Sequence, residues 1–135
     1  MIRPMTAADA PAVRSLQTHL KYADPDLVEA AVGGPFYGRV AVEGGVPVGY
    51  AIVFPGRPAT LSELAVASGS RRRGYGRALV EAAEAAVGAA SIEVTTPADD
   101  AAARRFYTAI GFEPDGRVPG FYADGADASR LVRRE

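Results

Sequence analysis

The chain has 135 residues, no cysteine and a single histidine, and its fifteen basic and sixteen acidic side chains give a formal net charge of −1. This length predicts one domain over residues 1–135. Without cysteine there are no thiol nucleophiles, thiolate zinc sites or disulfides, and the lone His19 does not build a multi-histidine centre, so no metal is predicted.

Charge and hydropathy also restrict the partners. Proteins that bind nucleic acid usually carry a net positive field, which this composition lacks. No apolar run approaches the roughly twenty residues of a membrane span, and the first residues do not resemble a secretion signal. We therefore expect a cytoplasmic protein, monomeric or homodimeric, that binds neither nucleic acid nor membrane.

The N-terminal third predicts a short strand followed by two helices. Residues 2–3 begin a strand, and Thr6 is a helix cap before apolar residues at helical spacing, which predicts a helix over residues 7–20. Asp24 before a proline begins a second helix, which ends at Gly33.

The middle of the chain predicts an antiparallel meander of three strands. Residues 39–43 and 46–54 are rich in β-branched side chains and flank Gly44 and Gly45, a pair typical of a hairpin turn. Residues 61–67 supply the third strand.

The rest of the chain returns to alternating helices and strands. The predicted elements are a helix from about 74 to 87, a strand at 91–95, a helix from 97 to 111, and short strands near 112–113 and 129–134. The fold class predicted is a single α/β (α+β) domain, with about four helices around a mixed, mostly antiparallel sheet of six to seven strands.

The segment from Leu64 to Arg77 carries the clearest functional pattern. A strand ends, a loop rich in arginine follows, and Gly74 and Gly76 open a helix. The first N–H groups of a helix have no internal partner and lie at the positive end of the helix dipole, an arrangement that favours phosphate or pyrophosphate.

Three interpretations of this segment compete. It is an ordinary strand–loop–helix turn, a dinucleotide fingerprint with Glu93 as the ribose-binding acid, or a site for the pyrophosphate of coenzyme A. The dinucleotide pattern requires glycine or alanine where Leu79 stands, and no Gly-Lys-Ser/Thr triplet of a Walker A motif occurs.

Two motifs resemble one family. Arg71-Arg72-Arg73-Gly74-Tyr75-Gly76 is similar to the Arg/Gln-x-x-Gly-x-Gly/Ala signature of the GNAT superfamily of acyl-CoA-dependent N-acyltransferases, and Leu64-Ala65-Val66 fits its Leu-x-Val strand ending. Residues 100–112 resemble its Asn-x-x-Ala-x-x-Phe-Tyr-x-x-x-Gly-Phe segment, with Asp100 where Asn is usual and Ser68 in place of a frequent proline. The order of predicted elements along the whole chain is also that of the family.

The resemblance implies an acetyl-CoA-dependent N-acetyltransferase that uses no metal. An acetyl group would pass by direct attack to a primary amine of a peptide, a lysine or a small molecule, with the pantetheine arm between a splayed fourth and fifth strand. The residues implied in coenzyme binding are Leu64, Ala65, Val66, Arg71, Arg72, Arg73, Gly74, Tyr75, Gly76, Arg77, Asp100 and Tyr107.

Two residues are predicted to be catalytic. Tyr107 shares a helix stripe with Asp100, so its hydroxyl would donate to the leaving thiolate; the alternative is that it only packs in the core. Glu63 lies beside the splay on the opposite pleat face from Leu64, which makes it a candidate base, although a solvent-facing acid fits as well. Glu43 is a more distant alternative base.

The acceptor pocket is expected to be lined by aromatic residues, and two functions other than acetyl transfer stay open. The aromatic residues expected to line the pocket are Tyr22, Phe36, Tyr37, Phe121 and Tyr122. Residues 120–128 faintly resemble the ending of bacterial acetyltransferases that modify N-terminal alanines. The alternatives to an acetyltransferase are a non-catalytic acyl-CoA-binding regulatory module and a dinucleotide-binding enzyme.

Overall fold

Helices and strands alternate along the chain in the predicted order. The computed structural model describes residues 1–134, and Glu135, the last residue of the predicted domain, lies outside them. The elements are β1 (Ile2–Pro4), a 3₁₀ turn (Ala7–Asp9), α1 (Ala10–Gln17), α2 (Asp26–Gly33), β2 (Tyr37–Glu43), β3 (Val46–Phe54), β4 (Ala59–Val66), a 3₁₀ turn (Ser68–Ser70), α3 (Tyr75–Val87), β5 (Ser91–Pro97), α4 (Ala101–Ala109), β6 (Glu113–Val118) and β7 (Ala128–Arg134).

The strands form one seven-stranded sheet in the order β1-β2-β3-β4-β5-β7-β6. β4 and β5 run parallel and the other neighbours run antiparallel. Val13 of α1 and Val28 of α2 pack with Ile52 on one face, while Leu79 of α3 packs with Val53 on the other. The predicted fold class is confirmed.

The largest departures of element boundaries from the predictions are at three places. The first helix is shorter than predicted: it begins as a 3₁₀ turn and ends at Gln17. Pro97 ends β5 instead of opening α4, because it pairs with Ala128 of β7 and the helix begins only after Asp100. The sixth strand is longer than predicted and reaches Val118 along the exposed edge of the sheet.

A β-bulge at Ser62 sets the faces of β4. Leu61 pairs with Val53 and Glu63 with Ile52, so two steps along β4 match one step along β3. Leu61 therefore packs with the α3 side of the core, whereas Glu63 faces α1 even though the two residues are two positions apart.

An ion pair and a cap fix the start of the first helical segment. Asp9 is 5% exposed, its carboxylate accepts both terminal nitrogens of Arg3 at 2.7 and 2.9 Å, and its Oδ2 accepts the Thr6 N–H at 2.8 Å. The Arg3 guanidinium lowers the pKa of Asp9 to about 2. Within residues 1–134, no helix is both long and apolar enough to cross a bilayer.

Candidate functional site

A gap opens in the sheet between β4 and β5. The two strands pair only from Ala59 opposite Ile92 to Leu61 opposite Val94, and in the described part of the chain no pairing joins them further on. β4 nevertheless continues to Val66, so the strands part at the bulge, as the predicted splay between the fourth and fifth strands requires.

The backbone of β4 presents hydrogen-bonding groups to this gap. The Ala67 N–H donates to the Val48 carbonyl at 2.7 Å, and Ala65 pairs with Tyr50. Because successive residues of an antiparallel strand point their amides alternately toward and away from the partner, those of Leu64 and Val66 face away from β3 and into the gap. Ala65 is different from its neighbours, since its own amide groups face β3.

One of these groups already has a partner from the same chain. Arg71 Nε donates to the Val66 carbonyl oxygen at 3.1 Å. A carbonyl oxygen has two lone pairs, so Val66 keeps acceptor capacity for a ligand.

The loop that follows brings the start of α3 to the mouth of the gap. Gly74 is the N-cap in a left-handed conformation (φ +79°), and Arg72 is also left-handed (φ +65°). The Ala78 N–H bonds to the Gly74 carbonyl, which leaves the N–H groups of the preceding turn without intrahelical acceptors. Arg71 and Arg72 are exposed beside them, so this end of α3 has the free donors and positive charge that an anion site requires.

Gly76 has a packing role that the sequence analysis did not identify. A Cβ at this position would lie 2.8 Å from Phe106 Cζ and 2.9 Å from its Cε1. The Phe106 side chain of α4 therefore packs directly against the first turn of α3. Gly76 was predicted to let a ligand approach, and what approaches it here is Phe106.

Two predicted coenzyme residues are tied to the β2–β3 hairpin. Glu43 Oε2 accepts the Tyr75 hydroxyl at 2.7 Å and Arg73 Nη1 at 2.9 Å. The Tyr75 hydroxyl and the Arg73 guanidinium hold the pKa of Glu43 below its usual value. Glu43 thus anchors the start of α3, while Arg77 forms an exposed pair with Glu81 one turn along.

Glu63 is buried and held from three sides. It is 5% exposed, and its carboxylate accepts Gln17 Nε2 at 2.9 Å, the Tyr50 hydroxyl at 2.8 Å and the Asp24 N–H at 2.8 Å. Its side chain lies on the opposite face from Leu64, as predicted, but the solvent-facing alternative is wrong.

Tyr107 and Asp100 lie near one another on α4. Asp100 Oδ1 caps the helix by accepting the Ala103 N–H at 3.0 Å, so its expected capping role is present. Tyr107 is 7% exposed and packs edge-on against Phe106 and Phe112. Burial raises the pKa of Tyr107, and the Asp100 carboxylate raises it further, so the phenol stays protonated.

The predicted acceptor aromatics divide into two groups. Tyr22, between α1 and α2, stacks on Tyr122, between β6 and β7, with ring centroids 3.8 Å apart, and its hydroxyl donates to Asp124 Oδ2 at 2.8 Å. Phe36 instead packs against Phe54 with the rings tilted by 30°, and Tyr37 lies beside it in a groove of about 220 Å³ at the start of β2. Phe121 packs edge-on against Tyr122 and is exposed.

Gln17, Tyr50 and Thr96 are buried polar residues that were not predicted from the sequence. Gln17 was one polar residue in an amphipathic helix, and only the fold shows that it is 6% exposed and bonded to Glu63. Thr96, near the end of β5, is 4% exposed, and within residues 1–134 no hydrogen-bond partner lies in reach of its Oγ1.

These features fit a long, polar, anionic ligand. An extended arm in the gap would meet the amides of Leu64 and Val66, and the arginine-flanked start of α3 lies at the mouth. Amides on one side and a helix N-terminus at the end suit an arm with amide groups and a terminal pyrophosphate.

Comparison with known proteins agrees with this fit. Residues 6–112 match the model of the acetyltransferase (GNAT) family. No curated protein matches the chain.

Solved structures match nearly the whole chain. The ribosomal-protein-S18-alanine N-acetyltransferase from Escherichia coli is 24% identical, with a TM-score of 0.83 over 99% of this chain and 92% of that one. Ard1 from Thermoplasma volcanium is 25% identical, with a TM-score of 0.86 over 99% and 96%. Arabidopsis thaliana NAA60, solved with acetyl-CoA, is 17% identical, with a TM-score of 0.82 over 99% and 97%.

Proposed function

The chain belongs to the acetyltransferase (GNAT) family and is an acetyl-CoA-dependent N-acetyltransferase, and we propose that its acceptor is the N-terminal α-amine of a peptide or protein. The main support for a coenzyme site is that β4 and β5 part after Leu61, beside the start of α3. The dinucleotide alternative is set aside by the family match.

In this proposal the coenzyme is held by the backbone amides of β4 that face the gap and by the start of α3. Leu64 and Val66 pair with the amide groups of the pantetheine arm as a neighbouring strand would. The N–H groups of the first turn of α3 bind the pyrophosphate, with Arg71 and Arg72 adding positive charge. Arg71 exchanges its bond to the neutral Val66 carbonyl for the phosphate, since a guanidinium binds an anionic oxygen more strongly than a neutral one.

Glu63 is the proposed proton acceptor. Acetyl-CoA supplies a thioester carbonyl, which only an uncharged amine attacks. At pH 7 an α-amine with a pKa near 7.8 costs about 1 kcal/mol to deprotonate, whereas a lysine amine near 10.4 costs about 4.6 kcal/mol. The single carboxylate of Glu63, buried beside the gap, matches the smaller requirement of an α-amine.

Tyr107 is the proposed proton donor. Its hydroxyl stays protonated because burial raises its pKa, so it is available to the sulfur as the thiolate departs. Asp100, about two turns earlier on the same stripe, caps the helix that carries Tyr107.

The acceptor side supports a peptide. The loops before α2 and after β6 meet through Tyr22 and Tyr122, and a peptide lying along the first of these loops, whose Asp24 N–H bonds Glu63, would present its terminal amine to that carboxylate. The similar structure from E. coli is that of an alanine N-acetyltransferase.

The test is thiol release from acetyl-CoA with matched peptides. One peptide carries a free N-terminal alanine and no lysine, and a second has a blocked N-terminus and an internal lysine. We expect turnover with the first only; turnover with the second alone contradicts the α-amine assignment. Coenzyme binding without turnover on any amine, including a polyamine, favours the non-catalytic module instead.

The role of Glu63 has its own test in the same assay. Glu63→Gln is expected to lower kcat about a hundredfold while leaving acetyl-CoA affinity within twofold. Glu113→Gln, on the exposed edge strand β6, is the matched control and should match the wild type. Equal kcat for Glu63→Gln and its control contradicts the role of this carboxylate.

A further inference from the structure

The Glu63 carboxylate is fixed by donors from three parts of the fold. Oε1 accepts Gln17 Nε2 from α1 at 2.9 Å and the Tyr50 hydroxyl from β3 at 2.8 Å. Oε2 accepts the N–H of Asp24, in the loop between α1 and α2, at 2.8 Å.

These contacts leave one acceptor position on the carboxylate. Each carboxylate oxygen accepts about two hydrogen bonds. Oε1 of Glu63 has both, whereas Oε2 has one, from Asp24. A proton from an acceptor amine, or from a water between them, therefore reaches Glu63 at Oε2, on the side of the α1–α2 loop.

The two side-chain donors are themselves locked. The two hydrogens of Gln17 Nε2 go to Glu63 Oε1 and to the Asp24 carbonyl at 3.0 Å, and because both partners are acceptors, the amide has one orientation. Tyr50 is fully buried, and burial raises the pKa of its hydroxyl, so it remains a donor across the working pH range.

A network of this kind is not needed for stability alone. Apolar side chains of similar volume usually fill a buried site at least as well as a charged group with its polar partners. We propose that Gln17 and Tyr50 are positioning residues, which occupy Oε1 of Glu63 so that Oε2 alone takes up the proton of the acceptor. This inference rests on the proposed function, in which Glu63 accepts that proton.

The experiment is a double-mutant cycle on kcat. Tyr50→Phe, Glu63→Gln and the double variant are assayed with acetyl-CoA and the free-alanine peptide, and acetyl-CoA affinity is measured for each by calorimetry. We expect Tyr50→Phe to lower kcat about tenfold in the Glu63 background, with coenzyme affinity within twofold. In the Glu63→Gln background the same change should lower kcat by less than about twofold, because no carboxylate remains to be positioned.

The other outcomes separate the two proposals. Equal fractional losses in both backgrounds overturn the positioning role and leave the function of Glu63 intact, whereas wild-type kcat in Glu63→Gln overturns both. If Tyr50→Phe does not fold, the cycle with Gln17→Met, which removes the other donor to Oε1, decides in its place. Loss of coenzyme binding in both variants marks a purely structural network and also overturns the positioning role.

Discussion

Replacing Tyr107 by phenylalanine removes one hydroxyl and keeps the ring. The ring lies 5.0 Å from Phe106 and 5.2 Å from Phe112, centroid to centroid, and both contacts survive the change. The free energy of unfolding should therefore fall by no more than about 1 kcal/mol. A single donor to a developing negative charge contributes about 2.7–4 kcal/mol to the barrier, so kcat should fall by about 10²–10³.

The assay follows thiol release at saturating acetyl-CoA together with calorimetric binding of the coenzyme. Because burial raises the pKa of Tyr107, its hydroxyl stays protonated between pH 7 and about 9. The wild type and the variant should therefore have kcat profiles of the same shape over this pH range. Tyr37→Phe is the control, since it removes the hydroxyl of an exposed tyrosine at the start of β2, apart from the gap between β4 and β5.

Two results would refute the reasoning about Tyr107. If kcat in Tyr107→Phe stays within threefold of the wild type, the hydroxyl does not donate to the leaving group. If kcat and coenzyme affinity fall in proportion, the hydroxyl serves binding.

Three further changes test the packing, the electrostatics and the acceptor side. Gly76→Ala should lower the free energy of unfolding by about 1 kcal/mol in denaturant titration, because the new methyl lies 2.8 Å from Phe106 Cζ. Asp9→Asn should cost about 1 kcal/mol at pH 7; since the pKa of Asp9 is lowered to about 2, the difference from wild type persists above about pH 4 and vanishes as the pH falls through 2. Tyr22→Phe, which removes the bond to Asp124, should raise KM for the peptide about threefold to tenfold without changing acetyl-CoA affinity.

Each of these changes has a control or a contrary outcome. Gly33→Ala in α2, where a Cβ meets nothing within 4 Å, should stabilise by about 0.5–1 kcal/mol, and an equal gain for Gly76→Ala contradicts the packing argument. A pH-independent deficit for Asp9→Asn would mean that its amide disrupts packing instead of losing a charge. An unchanged peptide KM for Tyr22→Phe would place the acceptor elsewhere.

Local sequence patterns predicted most of the fold. The glycine pair at Gly44 and Gly45 forms the hairpin turn, and Gly88 ends α3 in a left-handed conformation, since these features depend on neighbouring residues only. The end of β5 was misjudged because Pro97 is a common helix start, and its pairing with Ala128 depends on a strand thirty residues away.

In the candidate site, too, the features that depend on neighbouring residues were predictable and those that depend on distant residues were not. The arginine–glycine segment was recognisable because its function depends on consecutive backbone groups. The partners of Glu63 were not, since Gln17 and Tyr50 are 46 and 13 residues distant in the chain and meet it only after the sheet has formed. Gly76 was assigned to the ligand because nothing in the local pattern shows that Phe106 lies against it.

The bulge in β4 makes the pairing with β3, rather than residue identity, the sensitive variable at this point. If Ser62 paired regularly with β3 instead of bulging, Glu63 and the residues after it would exchange faces relative to Leu61. The carboxylate would then turn towards the side occupied by α3 while Leu64 turned towards α1.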